Sequence, residues 1–104
     1  MTRRAGYGLP YMPAHVKMYT RRWCGYCTAA ERLLDEKGVP YENIDTTGDH
    51  DTRRWLAEAT GRTTVPQIFI NGRPVGGYDD IKALDRKGEL DKLLWDEPQP
   101  SSSP

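Results

Sequence analysis

The chain has 104 residues, 37% of them hydrophobic and 29% charged, which suits one small globular domain with a modest core. Fifteen basic and fifteen acidic side chains cancel, so bulk charge selects neither nucleic acid nor an anionic membrane as partner. No apolar run nears the ~20 residues of a membrane helix, and none follows Arg3 and Arg4, so the start does not read as a secretory signal.

Residues 1–14 mix Gly, Pro, Tyr and Arg without a period and read as a flexible leader. Residues 15–20, His-Val-Lys-Met-Tyr-Thr, alternate polar and apolar, as a strand with one face on a core does. From Gly25 to Lys37, Ala29, Ala30, Leu33 and Leu34 recur at helical spacing, and Gly38 supplies a stop. Residues 41–45 form a second short strand. Turn and cap chemistry at Thr47-Gly48-Asp49 then opens a helix whose expected buried stripe is Trp55, Leu56 and Ala59, ended by Gly61. Gln67-Ile68-Phe69-Ile70 is a third strand. Asn71-Gly72 is a strong hairpin signal, so residues 73–76 should return antiparallel at an edge, where Pro74 is tolerated. Asp79-Asp80 are expected to cap a helix carrying Ile81 and Leu84, and a last short helix holds Leu90, Leu93, Leu94 and Trp95. Residues 96–104, rich in Pro and Ser, read as a disordered tail.

The domain therefore spans residues 15–95, in the order β-α-β-α-β-β-α with flanking helices. A right-handed βαβ first half and an antiparallel hairpin make a four-stranded mixed sheet in an α/β protein, the thioredoxin fold. Architecture alone does not settle function.

The chemistry is concentrated in two cysteines three residues apart, Cys24 and Cys27. A bridge across so short a loop adds little chain-entropy stabilisation, so the pair points to reactivity and to a reducing, cytoplasmic setting. Cys24 falls where the first helix begins, and unpaired N–H groups and the helix dipole stabilise a thiolate there. Arg21 and Arg22 add positive charge. The expectation is that Cys24 attacks and Cys27, one turn deeper, resolves. His15 and His50 have no partner spacing, so no zinc ligand set can be assembled.

Three stretches in order carry a family resemblance: Tyr19-Thr20-Arg21-Arg22-Trp23-Cys24-Gly25-Tyr26-Cys27, residues 61–70 (Gly-Arg-Thr-Thr-Val-Pro-Gln-Ile-Phe-Ile), and Gly76-Gly77-Tyr78-Asp79-Asp80. Together they resemble the glutaredoxins, most closely the short bacterial dithiol type. The resemblance implies a glutathione-dependent disulfide oxidoreductase acting on protein–glutathione mixed disulfides and protein disulfides. It implies a cis peptide before Pro66, with Thr64 and the Val65 backbone beside the cysteines to pair with an extended thiol peptide. The glycine carboxylate of glutathione would meet Arg21, where the family usually has Lys, and Arg53. The γ-glutamyl carboxylate would sit on N–H groups at Asp79 and Asp80, with a carboxylate of one of them holding the amine. Gly76 and Gly77 would let the backbone approach, and Tyr26 would flank the bound thiol. Arg53 reads first as a solvated helix residue, Asp79 also fits a simple cap, and Trp23 either a shield for the sulfur or cover for the strand end.

One departure is Gly25, where the family commonly has Pro. In relatives with Gly there, a [2Fe–2S] cluster can bridge two subunits through one Cys of each, here Cys24, and two glutathione thiols. A cluster carrier or sensor is therefore the alternative, dimeric where the redox enzyme would be monomeric. A thioredoxin-like reductant recharged by a flavin reductase is the remaining reading, disfavoured by Arg21 and the Gly-Gly and Asp-Asp pairs.

Overall fold

The computed structural model describes residues 13–96; the rest of the expected leader and most of the tail lie outside the described residues. Its elements are β1 (Val16–Thr20), α1 (Gly25–Lys37), β2 (Glu42–Asp45), α2 (His50–Thr60), β3 (Gln67–Ile70), β4 (Arg73–Gly76) and α3 (Tyr78–Arg86). The sheet runs β2-β1-β3-β4, with β1 and β2 parallel and the other two pairings antiparallel. The mixed four-stranded sheet is the expected one.

Two-residue alternation divides the strands between two cores. Val16 and Met18 of β1 and Ile68 and Ile70 of β3 face Ala30, Leu33 and Leu34 of α1 and Ile81 of α3. Tyr19 and Phe69 point to the opposite face, where only Leu56 of α2 is fully covered. The expected α2 stripe is thus narrower than its sequence suggested. Ala59 is exposed, and Trp55 is 46% exposed. The Trp55 ring lies over the outer edge of the aromatic group, stacked on Phe69 at 5.9 Å and tilted against Tyr19 at 5.7 Å. A single helix covers this face, so the last aromatic of the cluster stays half in water.

The helix stops at Gly38 and Gly61 and the Asn71-Gly72 turn all form, the turn with φ of 52° and 81°. The hairpin is tied back to the start of β1, since Asn71 accepts from His15 N–H through Oδ1 at 2.9 Å. Pro74 sits in β4 opposite Phe69, on the sheet edge. Ala14, assigned above to the leader, is buried and donates its N–H to Leu94 O at 2.9 Å. The ordered unit therefore begins before residue 15. At the other end the expected last helix starts at Leu90 and widens into a π-type turn, Lys92–Asp96; Leu90 before that turn and Leu94 within it complete the main core.

Lys37 at the end of α1 bridges Asp85 of α3 and Asp91, which joins the two helices that share a sheet face. The hydrogen bonds to Asp85 and then Asp91 raise the Lys37 pKa. Ile81 is fully buried and is the only fully buried residue of α3. Ile81→Ala should therefore cost about 2–5 kcal/mol, a large share of a small domain's stability. Urea unfolding checks this, with a lower midpoint and an unchanged slope as the expected outcome.

Candidate active site

Antiparallel pairing of Tyr19 with Gln67 sets the end of β1 beside the beginning of β3. The residues that follow β1 and those that precede β3 must therefore meet. Cys24 is the N-cap of α1, and it is joined to Cys27 by a disulfide with Cα atoms 5.2 Å apart. Its sulfur accepts the Cys27 N–H at 3.1 Å, one of the orphan donors of the helix start. Cys24 is half-buried and Cys27 is 2% exposed, so an external partner can reach only the first sulfur. Cys24 Sγ also lies 3.7 Å from the Val65 carbonyl oxygen. The Val65–Pro66 peptide is cis, and Gln67 Nε2 donates to Thr64 O at 3.0 Å, holding the loop that carries it.

Several side chains fix the turn before Cys24. Buried Thr46 donates its N–H and hydroxyl to Thr20 O, at 2.8 and 2.7 Å. Thr47 Oγ1 accepts the Arg22 N–H at 2.8 Å and itself donates to Asp45 at 2.7 Å. The hydrogen bonds from the Thr47 hydroxyl and N–H lower the Asp45 pKa. Arg21 Nη1 donates to the carbonyls of Arg22 and Trp23, at 3.1 and 3.2 Å. Trp23 itself adopts a left-handed φ of 58° and is 93% exposed, so it gives the strand end no cover. The Thr46–Thr47 hold on this turn comes from the loop after β2, and no motif in the sequence announced it.

A cleft of about 430 Å³ opens beside the disulfide. Arg21, Tyr26, Arg53, Thr64, Val65, Pro66, Gly77, Asp79 and Asp80, all expected to contact glutathione, line it together. Arg53 is not a free helix residue, since its Nη2 reaches Thr63 O at 3.4 Å. Tyr26 is largely exposed and its ring lies 6.3 Å from that of Tyr78. Arg62, Thr63 and Tyr78 also line the cleft and were not singled out. All three lie inside the recognised stretches, so their position was the available signal.

The start of α3 differs from expectation. Its N-cap is Gly77, so Asp79 is a first-turn residue and not the cap. Asp80 folds back, and its Oδ2 accepts the Gly77 N–H at 2.9 Å, the carboxylate half of a capping box. This return needs Gly76, because a Cβ there, at φ 109°, would collide with the Asp80 carboxylate. A Cβ on Gly77 would press within 3.1 Å of Pro66 O. The same Oδ2 accepts from Arg62 Nη1 at 2.6 Å. Asp79 and Asp80 also complement the positive helix end.

Among the described residues no three His, Cys, Asp or Glu converge to hold a metal ion. Toward a [2Fe–2S] cluster one chain offers Cys24 alone, so three of four ligands would come from outside it. Among the described residues no helix is long and apolar enough to cross a membrane.

The Glutaredoxin family model matches residues 16–75. Glutaredoxin 3 of Escherichia coli (strain K12) is 46% identical over 81 residues, covering 78% of this chain and 98% of that protein. The solution structure of glutaredoxin from Brucella melitensis superposes with a TM-score of 0.72 at 44% identity, over 79% of this chain and 89% of the other. The crystal structure of a buckwheat glutaredoxin–glutathione complex gives a TM-score of 0.72 at 32% identity, over 78% and 76%.

The Arg62 guanidinium, and after it the Gly77 N–H, hold the Asp80 carboxyl below the ordinary carboxylate range. A lowered folded-state pKa means a contribution to stability that is complete above the unfolded value of about 3.9 and is lost as pH falls through the lower folded value. Carbon-13 titration of the Asp80 carboxyl should give a midpoint below about 3.9, and Arg62→Met should move it upward.

Proposed function

Because the chain belongs to the glutaredoxin family and is a thiol–disulfide oxidoreductase, we propose that glutathione is its reductant and that it reduces protein–glutathione mixed disulfides and protein disulfides. The observation that carries this reading is the convergence of nine separately expected residues on one cleft beside the disulfide. The buckwheat relative, similar over most of the domain, was crystallised as a glutathione complex.

In the one-cysteine route, the Cys24 thiolate attacks the glutathione sulfur of the mixed disulfide, and the protein thiolate leaves and takes a proton. A second glutathione thiolate then attacks Cys24–S–SG, forming oxidised glutathione and returning the Cys24 thiolate. In the two-cysteine route, Cys24 attacks a protein disulfide and the Cys27 thiolate displaces the reduced protein, leaving the Cys24–Cys27 disulfide. Two glutathiones reduce that bond.

The burial difference between the sulfurs supports Cys24 as nucleophile, and the helix start supports its thiolate. Val65 offers backbone groups to an extended thiol peptide, while Arg21 and Arg53 offer guanidinium donors to the glycine carboxylate. Arg21 spends Nη1 on the turn, and a guanidinium with five N–H donors has others for a ligand. The chemistry suits a reducing, cytoplasmic compartment.

Turnover of a glutathionylated protein with reduced glutathione separates the cysteines. Cys24→Ser should abolish it, and Cys27→Ser should retain it while losing protein-disulfide reduction. Alkylation against pH should place the Cys24 thiol below the ~8.5 of a free cysteine. Equal loss in both variants, or turnover only with a flavin reductase, would overturn the reading.

A further inference from the structure

Trp23 is the most exposed large apolar side chain among the described residues, at 93%, and its backbone is left-handed, with φ of 58°. Both features are unfavourable for an indole. A bulky residue seldom takes that φ, and glycine or asparagine would hold the same turn with less strain. The turn is nevertheless fixed around it. Arg21 Nη1 donates to the Trp23 carbonyl at 3.2 Å, and Thr47 Oγ1 accepts the Arg22 N–H at 2.8 Å. At that exposure the ring shields neither the sulfur nor the strand end. Nor does it line the cleft, whereas Tyr26, two residues beyond Cys24, does. The indole therefore stands next to Cys24 in the chain and outside the cleft that glutathione would occupy.

Disulfide exchange brings a polypeptide to that place. In the two-cysteine route the Cys24 thiolate attacks one sulfur of the partner's disulfide, and the other sulfur leaves as a thiolate and takes a proton. The partner's first cysteine is then bonded to Cys24 until the Cys27 thiolate attacks the Cys24 sulfur and releases it. Two electrons pass from the cysteine pair to the partner. A disulfide holds its two Cα atoms about 5.5–6 Å apart, and each chain neighbour lies about 3.8 Å further along. The covalent step itself thus carries the residue beside the partner's cysteine to within reach of residue 23. An indole suits such a contact, because it offers a large apolar surface and loses only two side-chain torsions when it is covered. We infer that Trp23 is a docking residue for polypeptide substrates, and that it selects partners with an apolar or aromatic side chain beside the reactive cysteine.

The inference rests on Cys24 as the attacking sulfur, as proposed above, and does not require glutathione. Its test uses the full chain, reduced beforehand and freed of reductant, in single turnover with two peptide disulfides. The peptides are identical except for Leu or Ser beside the cysteine, and the released peptide thiol is followed. Below saturation the native protein should reduce the Leu peptide roughly three- to tenfold faster, as expected for partial burial of one apolar side chain. Trp23→Asn, which tolerates the left-handed turn, should bring that ratio close to one. Trp23→Phe should keep part of the preference. A native protein without preference would overturn the inference. So would a Trp23→Asn variant that is slower on both peptides with the ratio unchanged, because the ring would then act on the Cys24 thiolate and not on the partner. Cys24→Ser should release no thiol, and release by that variant would overturn the assignment of the attacking sulfur itself.

Discussion

The antiparallel register between β1 and β3 is the constraint on which the site depends. Opposing Tyr19 and Gln67 obliges the chain leaving β1 and the chain entering β3 to meet at the same end of the sheet. One of those segments starts α1 and carries Cys24; the other carries Val65 and the cis peptide. Their proximity needs no long-range search by flexible loops. It follows from two strands whose side chains alternate between two cores, and a slip of one residue would turn Met18 and Ile68 out of the larger core.

Around that meeting point the protein holds its backbone by hydrogen bonds and presents its charge on side chains that line the cleft. The turn before Cys24 is tied by Thr46, Thr47 and Arg21, and the loop before β3 by Gln67. These bonds fix atoms that must meet a sulfur or a peptide. The guanidinium groups of Arg21, Arg53 and Arg62 instead reach into the cleft on long side chains, facing Asp79 and Asp80 at the head of α3. The cleft therefore presents both signs of charge beside the backbone that holds the disulfide. Gly76 and Gly77 have a steric part in this, since one admits the Asp80 carboxylate and the other the Pro66 carbonyl.

The difference between the two cysteines has the same origin. Both belong to one turn of α1, yet the helix lies against the sheet so that position 27 faces the interior and position 24 faces the opening. Trp23 just before it is turned outward by a left-handed backbone, leaving the sulfur approachable from solvent.

The amino-acid sequence by itself determined the order of elements, the helix stops at Gly38 and Gly61, the Asn71-Gly72 turn and the place of Cys24 at a helix start. Each rests on hydrogen bonds or periodicities spanning a few residues, which a linear reading contains. The family resemblance likewise marked nine residues that share a cleft, eight inside the three stretches and Arg53 outside them. Only the tertiary structure decided that Trp55 stays half exposed, that Gly77 and not Asp79 caps α3, and that Thr47 holds the Arg22 N–H. The pairing of Arg62 with Asp80 belongs with these. Burial and the choice of an ionic partner depend on which distant elements arrive at the same point, and local pattern does not carry that information. Cys24 was recognisable as reactive from its neighbours along the chain, whereas the charges that would select its substrate were assembled by the fold.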